Sequence, residues 1–276
     1  MTEPIEHWTR CGVRMRRISR LPGTPDWLFL PGGPGIGSES LAELALGAAL
    51  PGTCWLVDLP GDGSNVGAPG APADPYQLWP QVFLEAVAAV DNPVAVGHST
   101  AGEYLLVLPE LDALLRGLVL ISSAPNARWM PEFAAMAARE PLAAVEAAGA
   151  RYEQNPDNDT LREVAVASAP WNFSAGSLDA GRELLTRMPY NRAAVEWSDR
   201  AFDSTYESTW WPTSMPTLIL SGSQDRIVTQ RLWAEGGFGG GHVLHQWIDG
   251  AGHWPWIEQP AQVHDALRSF AARIDE

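Results

Sequence analysis

Residues 94–102 read Val94-Ala95-Val96-Gly97-His98-Ser99-Thr100-Ala101-Gly102. An apolar stretch of strand character runs into a turn of small residues, and a helical run, Glu103 to Leu108, follows. A serine hydroxyl is a poor nucleophile unless it is held exposed beside a base. A sharp strand-to-helix elbow holds it that way and leaves little room for bulk on either side. Gly97 and Ala101 occupy the two crowded positions; the alanine departs from the commoner Gly-x-Ser-x-Gly, but one methyl fits and Gly102 follows. Taken alone, the pattern also describes a serine that caps a helix N-terminus. The catalytic reading of Ser99 therefore needs a base and an acid elsewhere in the chain.

The base is read at His253, in Asp249-Gly250-Ala251-Gly252-His253-Trp254-Pro255-Trp256, a loop just after the apolar run Val243 to Ile248. A loop histidine beside glycine can reach across strand ends, whereas His7, His242, His245 and His264 lack such a setting, and His98 is expected to pack beneath the elbow. The acid that accepts the imidazole N–H and fixes its tautomer is read at Asp225, which follows the strand-like Thr217-Leu218-Ile219-Leu220 and a polar turn. The corresponding position after the preceding strand offers only Asn126, and Asp249, four positions before His253, is the rival. Acyl transfer also needs donors aimed at the developing oxyanion, worth about 3 kcal/mol each. Thr100 N–H, at a helix start, is one; Gly33 N–H, in Pro31-Gly32-Gly33-Pro34-Gly35, is the other, because Pro34 has no N–H to give.

Outward from the elbow, short apolar runs recur at Trp27 to Leu30, Cys54 to Val57, Leu118 to Ile121 and Leu218 to Leu220, and each reads as a buried strand. Segments with helical spacing, Leu41 to Leu50, Tyr76 to Val90 and Ala261 to Ile274, alternate with them. The fold class is therefore α/β, a mainly parallel sheet with helices on both faces. Between Pro125 and Pro212 the pattern becomes Ala-rich and Trp-rich, broken by five prolines, with no strand. This predicts a core of residues 1–124 and 213–276 with an inserted helical lid at 125–212. The glycines at 236, 237, 239, 240 and 241 read as a flexible surface loop. Gly32, Gly33, Gly35 and Gly37 do follow a strand, but Pro34 breaks the dinucleotide spacing and no Gly-Lys-Ser/Thr ending follows.

In the order Ser99, Asp225, His253, these segments resemble the α/β-hydrolase superfamily across nearly the whole chain. Asp58-Leu59-Pro60-Gly61-Asp62-Gly63-Ser64 is similar to the family's Asp-x-Pro-Gly-x-Gly-x-Ser turn. Pro31 to Gly35 resembles the His-Gly-Gly-Pro-Gly of proline iminopeptidases, and Gly-His-Ser-Thr-Ala-Gly the elbow of cofactor-free perhydrolases. Pro31 replaces the iminopeptidase histidine and Asp62 the usual second-turn histidine. Both departures bear on the subfamily, not on the fold or the triad. Superfamily members that attack with an aspartate, the haloalkane dehalogenases and epoxide hydrolases, are set aside by Ser99. The resemblance implies hydrolysis of an ester, thioester or lactone of an apolar small molecule through an acyl-enzyme. The competing expectations are a proline-iminopeptidase-like enzyme using Glu103 or Glu196, a carbon–carbon hydrolase using Arg187 or Arg192, and a non-enzymatic binder that retains the triad.

Aromatic residues crowd the lid, and Trp254 and Trp256 flank the base. A small lid cannot bury all these rings against itself, so Trp129, Trp171, Trp210 and Trp254 are expected to wall an apolar cleft over Ser99.

Composition sets the outer limits. A hydrophobic content of 46% supports a sizeable core, and a net charge of −15 argues against a nucleic-acid partner. All 18 basic residues are arginine, which removes lysine Schiff bases, lysine-anchored pyridoxal phosphate and Ser-Lys dyads. Two cysteines, Cys11 and Cys54, are too few for a disulfide framework or a four-cysteine metal site and fit a reducing cytoplasm. Thr2 to Glu6 does not read as a signal peptide, and no segment approaches the roughly 20 apolar residues that span a bilayer. The expected partner is a small-molecule substrate, with no cofactor, metal, nucleic acid or membrane.

Overall fold

The computed structural model describes residues 5–274, so the signal-peptide reading at residues 2–4 lies outside the described residues. Eight strands form one sheet: β1 (Glu6–Trp8), β2 (Arg14–Leu21), β3 (Asp26–Leu30), β4 (Gly52–Asp58), β5 (Pro93–His98), β6 (Gly117–Ile121), β7 (Thr217–Gly222) and β8 (Val243–Ile248). Their spatial order is β1-β2-β4-β3-β5-β6-β7-β8; β2 runs antiparallel to β1 and β4, and the remaining pairs are parallel. The runs at β5, β6 and β7 are buried at every position, as expected of parallel strands covered on both faces.

Alternation along the strands sorts the core into two layers. Trp27, Phe29, Val94, Val96 and Val119 face one layer with Phe270; Leu28, Leu30, Ala95, Leu118 and Leu120 face the other with Trp79 and Phe83. The helices supplying these layers include α1 (Ala42–Gly47), α2 (Trp79–Ala88), α3 (Thr100–Leu105) and α4 (Leu111–Leu114). The segment between β6 and β7 forms α5 (Trp129–Arg139), α6 (Ala143–Gln154), α7 (Asn158–Ala167), α8 (Ala169–Asn172), α9 (Leu178–Arg187) and α10 (Arg192–Ala201). A single isolated bridge, Asn126 with Glu207, closes its base among the described residues. After β8 come α11 (Pro255–Glu258) and α12 (Pro260–Ile274).

Two expected helices are shorter than their periodicity. Leu41 to Leu50 and Tyr76 to Val90 each open with a 3₁₀ turn, at Ser38–Leu41 and Tyr76–Leu78, before α1 and α2. Strands β1 and β2 lie outside the expected set because β2 carries Arg14, Arg16, Arg17 and Arg20 in place of apolar residues. Burial becomes possible because Arg14 and Arg16 each donate to the fully buried Asp58 carboxylate at 3.0 Å. The glycine-rich turn at 236–241 is largely exposed, anchored where the Phe238 ring meets Trp211 and Trp233 edge-on. No helix among the described residues is long and apolar enough to cross a membrane.

Register sets the position of the site. Leu30 pairs with Gly97 and His98 with Ile121, so the loop after β3 lies beside the elbow after β5. Gly222 pairs with Ile248, which brings the loops after β7 and β8 together. All four loops leave the carboxyl ends of parallel strands, the edge where open α/β sheets build their ligand sites.

Candidate active site

Ser99 sits between β5 and α3 with φ 53° and ψ −126°, a conformation that L-residues rarely adopt. The turn can close only because its neighbours lack bulk. A Cβ on Gly97 would lie 2.7 Å from Gly102 N, and one on Gly32 would lie 2.5 Å from His98 O and 2.7 Å from Ser99 Cβ. The loop after β3 therefore packs directly on the serine.

His253 Nε2 lies 3.1 Å from Ser99 Oγ, and His253 Nδ1 lies 3.0 Å from Asp225 Oδ2 and 3.2 Å from Oδ1. Asp225 Oδ1 also accepts the N–H groups of Ile227 (2.9 Å) and Val228 (3.0 Å), and Oδ2 accepts Gln230 Nε2 (3.3 Å). Both oxygens face donors, so Nδ1 carries the ring hydrogen and Nε2 presents a lone pair to the hydroxyl. A hydroxyl, an imidazole and a carboxylate in this series can pass the serine proton to the ring as the oxygen attacks. The Asp249 carboxylate turns elsewhere and accepts the Ser223 hydroxyl at 3.4 Å.

The histidine loop is fixed at both ends. Its carbonyl oxygen accepts His98 Nε2 (3.0 Å), and its N–H donates to Asn172 O (2.9 Å). His98 is buried beneath the elbow as expected; that burial, and then the adjacent His253, hold it well below the usual imidazole range. Glu258 accepts Gly252 N–H (2.5 Å) with one oxygen and Ser174 N–H (2.7 Å) with the other, and Trp254 Nε1 donates to Asn172 Oδ1 (3.2 Å). Residues 172–174 of the helical segment are thereby stitched to the loop that carries His253.

Thr100, the first residue of α3, has an N–H with no intrahelical partner. Thr100 and Gly33 line the same cavity as Ser99 and His253. The loop carrying Gly33 is held by two buried acids: Asp62 Oδ1 accepts Gly35 N–H (3.0 Å) and Asp58 Oδ1 accepts Ser38 N–H (2.7 Å). Burial, and then the nearby Asp58, hold Asp62 well above the usual carboxylate range. In the sequence Asp62 stands out only as a departure from the family turn, with no task attached. Glu258 and Gln230 carry no signal in the sequence, because Ser174 and Gly252 meet Glu258, and Asp225 meets Gln230, only in the fold.

The cavity over Ser99 has a volume of about 270 Å³ and a mainly apolar wall that includes Ile36, Trp129, Leu161, Leu185, Tyr190 and Trp254. Asp203 adds an acid whose carboxyl is pushed up to about 6 by burial, and it accepts the Ser198 hydroxyl at 2.6 Å. Of the four tryptophans expected to wall the cleft, Trp129 and Trp254 line this cavity and Trp171 and Trp210 do not. The Trp171 ring meets Phe133 edge-on and its Nε1 donates to Glu140 O, so its polar edge is taken by the adjacent helix. Trp210 Nε1 donates to Leu105 O, which draws that ring into the layer beneath α3. Arg187 pairs with Glu43 on the exposed surface, and Arg192 with Glu196 at a half-buried position. A larger groove of about 980 Å³, between α6, α7 and α9, touches neither Ser99 nor His253.

Known proteins resemble this chain over most of its length. The curated pimeloyl-[acyl-carrier protein] methyl ester esterase of Xylella fastidiosa (strain M12) is 26% identical over 245 residues, covering 80% of this chain and 86% of that protein. Among solved structures, a proline iminopeptidase-related protein from Thermus thermophilus superposes with a TM-score of 0.71 at 18% identity, covering 99% of both chains. An α/β fold family hydrolase from Bacillus anthracis str. Sterne also gives 0.71, at 12% identity and 98% coverage of both. These structural likenesses speak for the fold alone. The family model described as "Alpha/beta hydrolase family" matches residues 27–266, and the chain belongs to that family.

Proposed function

We propose that the protein is a serine hydrolase of carboxylic esters with small apolar acyl groups. The observation that carries this reading is His253 placed within hydrogen-bond reach of both Ser99 Oγ and the Asp225 carboxylate. Ser99 Oγ adds to the ester carbonyl carbon while its proton passes to His253 Nε2, and Asp225 stabilises the imidazolium that forms. Thr100 and Gly33 N–H groups take the oxyanion. Collapse breaks the bond to the alkoxide, which leaves as the alcohol with the proton from His253. Water, deprotonated by the same ring, then attacks the acyl-enzyme, releasing the acid and restoring Ser99. Thioesters and lactones enter by the same steps. In this reading residues 125–212 form a lid over the cavity, on a core of residues 1–124 and 213–276. The esterase named for the Xylella fastidiosa relative supports ester chemistry.

A second reading, amide hydrolysis next to a substrate amine, is favoured by Asp203 in the cavity wall with Glu103 buried nearby. An ester series separates the two. A cavity of about 270 Å³ lies at the small end for ligand sites. Each buried methylene contributes about 0.8 kcal/mol, roughly fourfold in binding. For p-nitrophenyl esters, kcat/KM should therefore rise from acetate to about butyrate or hexanoate and fall beyond. Trp129→Ala should move the optimum to longer chains while sparing acetate turnover. A flat ester profile, with faster cleavage of amino-acid anilides, would overturn the ester reading in favour of the amide one.

A further inference from the structure

The carboxylate of Asp225 is held by polar groups that the reaction steps above do not use. Gln230, buried, donates from Nε2 to Asp225 Oδ2 (3.3 Å) and to Val228 O (3.0 Å). Both partners only accept, so the amide nitrogen must face them and Oε1 must face the other way. There Ser221 Oγ, on β7, donates to Oε1 at 2.7 Å. With its one hydrogen committed, Ser221 Oγ can only accept from His245 Nε2, 2.8 Å away on the neighbouring edge strand β8. A neutral His245 must then carry its hydrogen on Nε2. Each donor is fixed by the next acceptor, so the chain His245, Ser221, Gln230, Asp225 has one direction.

We infer that these three side chains form a relay that orients the Asp225 carboxylate toward His253, with Gln230 as a positioning residue for the proposed reaction. This rests on the triad reading of Ser99, His253 and Asp225. Oδ2, which makes the shorter contact to the His253 ring, is the oxygen that Gln230 holds. Without that donor the oxygen carries more of the carboxylate charge toward the ring and favours the imidazolium. The oxygen also turns more freely, and the ring loses its alignment on Ser99. The other titratable groups facing His253 or its cavity are His98, kept neutral by burial, Asp203, and Tyr190, whose hydroxyl burial pushes up.

The test follows the histidine side chains by NMR in the full chain labelled with ¹⁵N-histidine, with kinetics on p-nitrophenyl acetate alongside. Neutral His245 should be the Nε2–H tautomer. Gln230→Leu should raise the His253 titration midpoint by about half a pH unit. It should also lower kcat about tenfold with little change in KM. Ser221→Ala should act in the same sense and more weakly, and Gln230→Leu with Ser221→Ala should go no further than Gln230→Leu alone, because both cut one chain. Should Gln230→Leu fail to fold, Gln230→Met keeps the length of the side chain, removes the donor and should raise the midpoint likewise. A Nδ1–H tautomer at His245, an unmoved His253 midpoint in a folded Gln230 variant, or additive effects would overturn the relay. A fluorophosphonate that ignores Ser99 would instead sink the triad reading, and the NMR midpoints would still report on the hydrogen-bond chain.

Discussion

Asp203 joins the chemistry of one side chain to the stability of the fold. Its carboxyl is pushed from an ordinary value near 3.8 up to about 6, chiefly by burial, so the folded chain holds the acid form where the unfolded chain would ionise it. The stability this contributes is fully present below about pH 4 and is lost as pH rises through about 6. A displacement of two decades, at about 1.4 kcal/mol per decade, makes that loss roughly 3 kcal/mol. Asp203→Asn keeps a partner for Ser198 and cannot ionise. Its unfolding free energy should fall less between pH 4 and pH 7 than that of the parent, measured by urea denaturation at each pH. Asp62 and Glu103, also raised by burial, keep some slope in the variant, so the difference between the two profiles is the test. Identical profiles would remove Asp203 as a buried acid. Ser99, His253 and Asp225 are legible in the sequence because each stands in a polar or small-residue turn just past an apolar run. The placement of Trp171 and Trp210 is not, because the pull of a nearby carbonyl on each indole N–H leaves no trace in spacing.

In the proposed reaction the loop after β3 supplies one of the oxyanion donors, and it has no regular structure to stiffen it. Its shape comes from acceptors at a distance, Asp62 for Gly35 N–H and Asp58 for Ser38 N–H. Asp62→Ala leaves Gly35 N–H buried without its partner, at a cost of about 1–3 kcal/mol in stability. It should also lower kcat on p-nitrophenyl acetate by more than it raises KM, since the loosened Gly33 donor matters most in the transition state. Equal kcat in variant and parent would free the loop from this dependence. The strands from β3 to β8 can be anticipated because each is a short, bounded apolar run. Strand β2 cannot, because its arginines find their carboxylate only in the fold: Asp58 lies 44 positions from Arg14 and 42 from Arg16.

Across the whole molecule, the helical segment between β6 and β7 meets the sheet through two kinds of contact. Ion pairs such as Arg226 with Glu140 and Arg128 with Glu235 are substantially exposed, and pairs of that kind contribute at most about 1 kcal/mol each. Phe173, Leu184, Leu185, Met188, Tyr190 and Trp197 are buried, and large apolar side chains contribute roughly 1.5–3 kcal/mol each, so apolar burial dominates. The sheet then brings three distant loops, after β5, β7 and β8, to one point, and the central proposal is that their meeting makes Ser99 nucleophilic. Labelling with a fluorophosphonate, read by intact mass and peptide mapping, tests this most directly, because the reagent reacts rapidly with a serine oxygen that a base has activated and slowly with an ordinary hydroxyl. One adduct is expected, on Ser99, formed by the parent and lost in Ser99→Ala and His253→Ala. An adduct on another residue, or undiminished labelling of the His253→Ala variant, would contradict it.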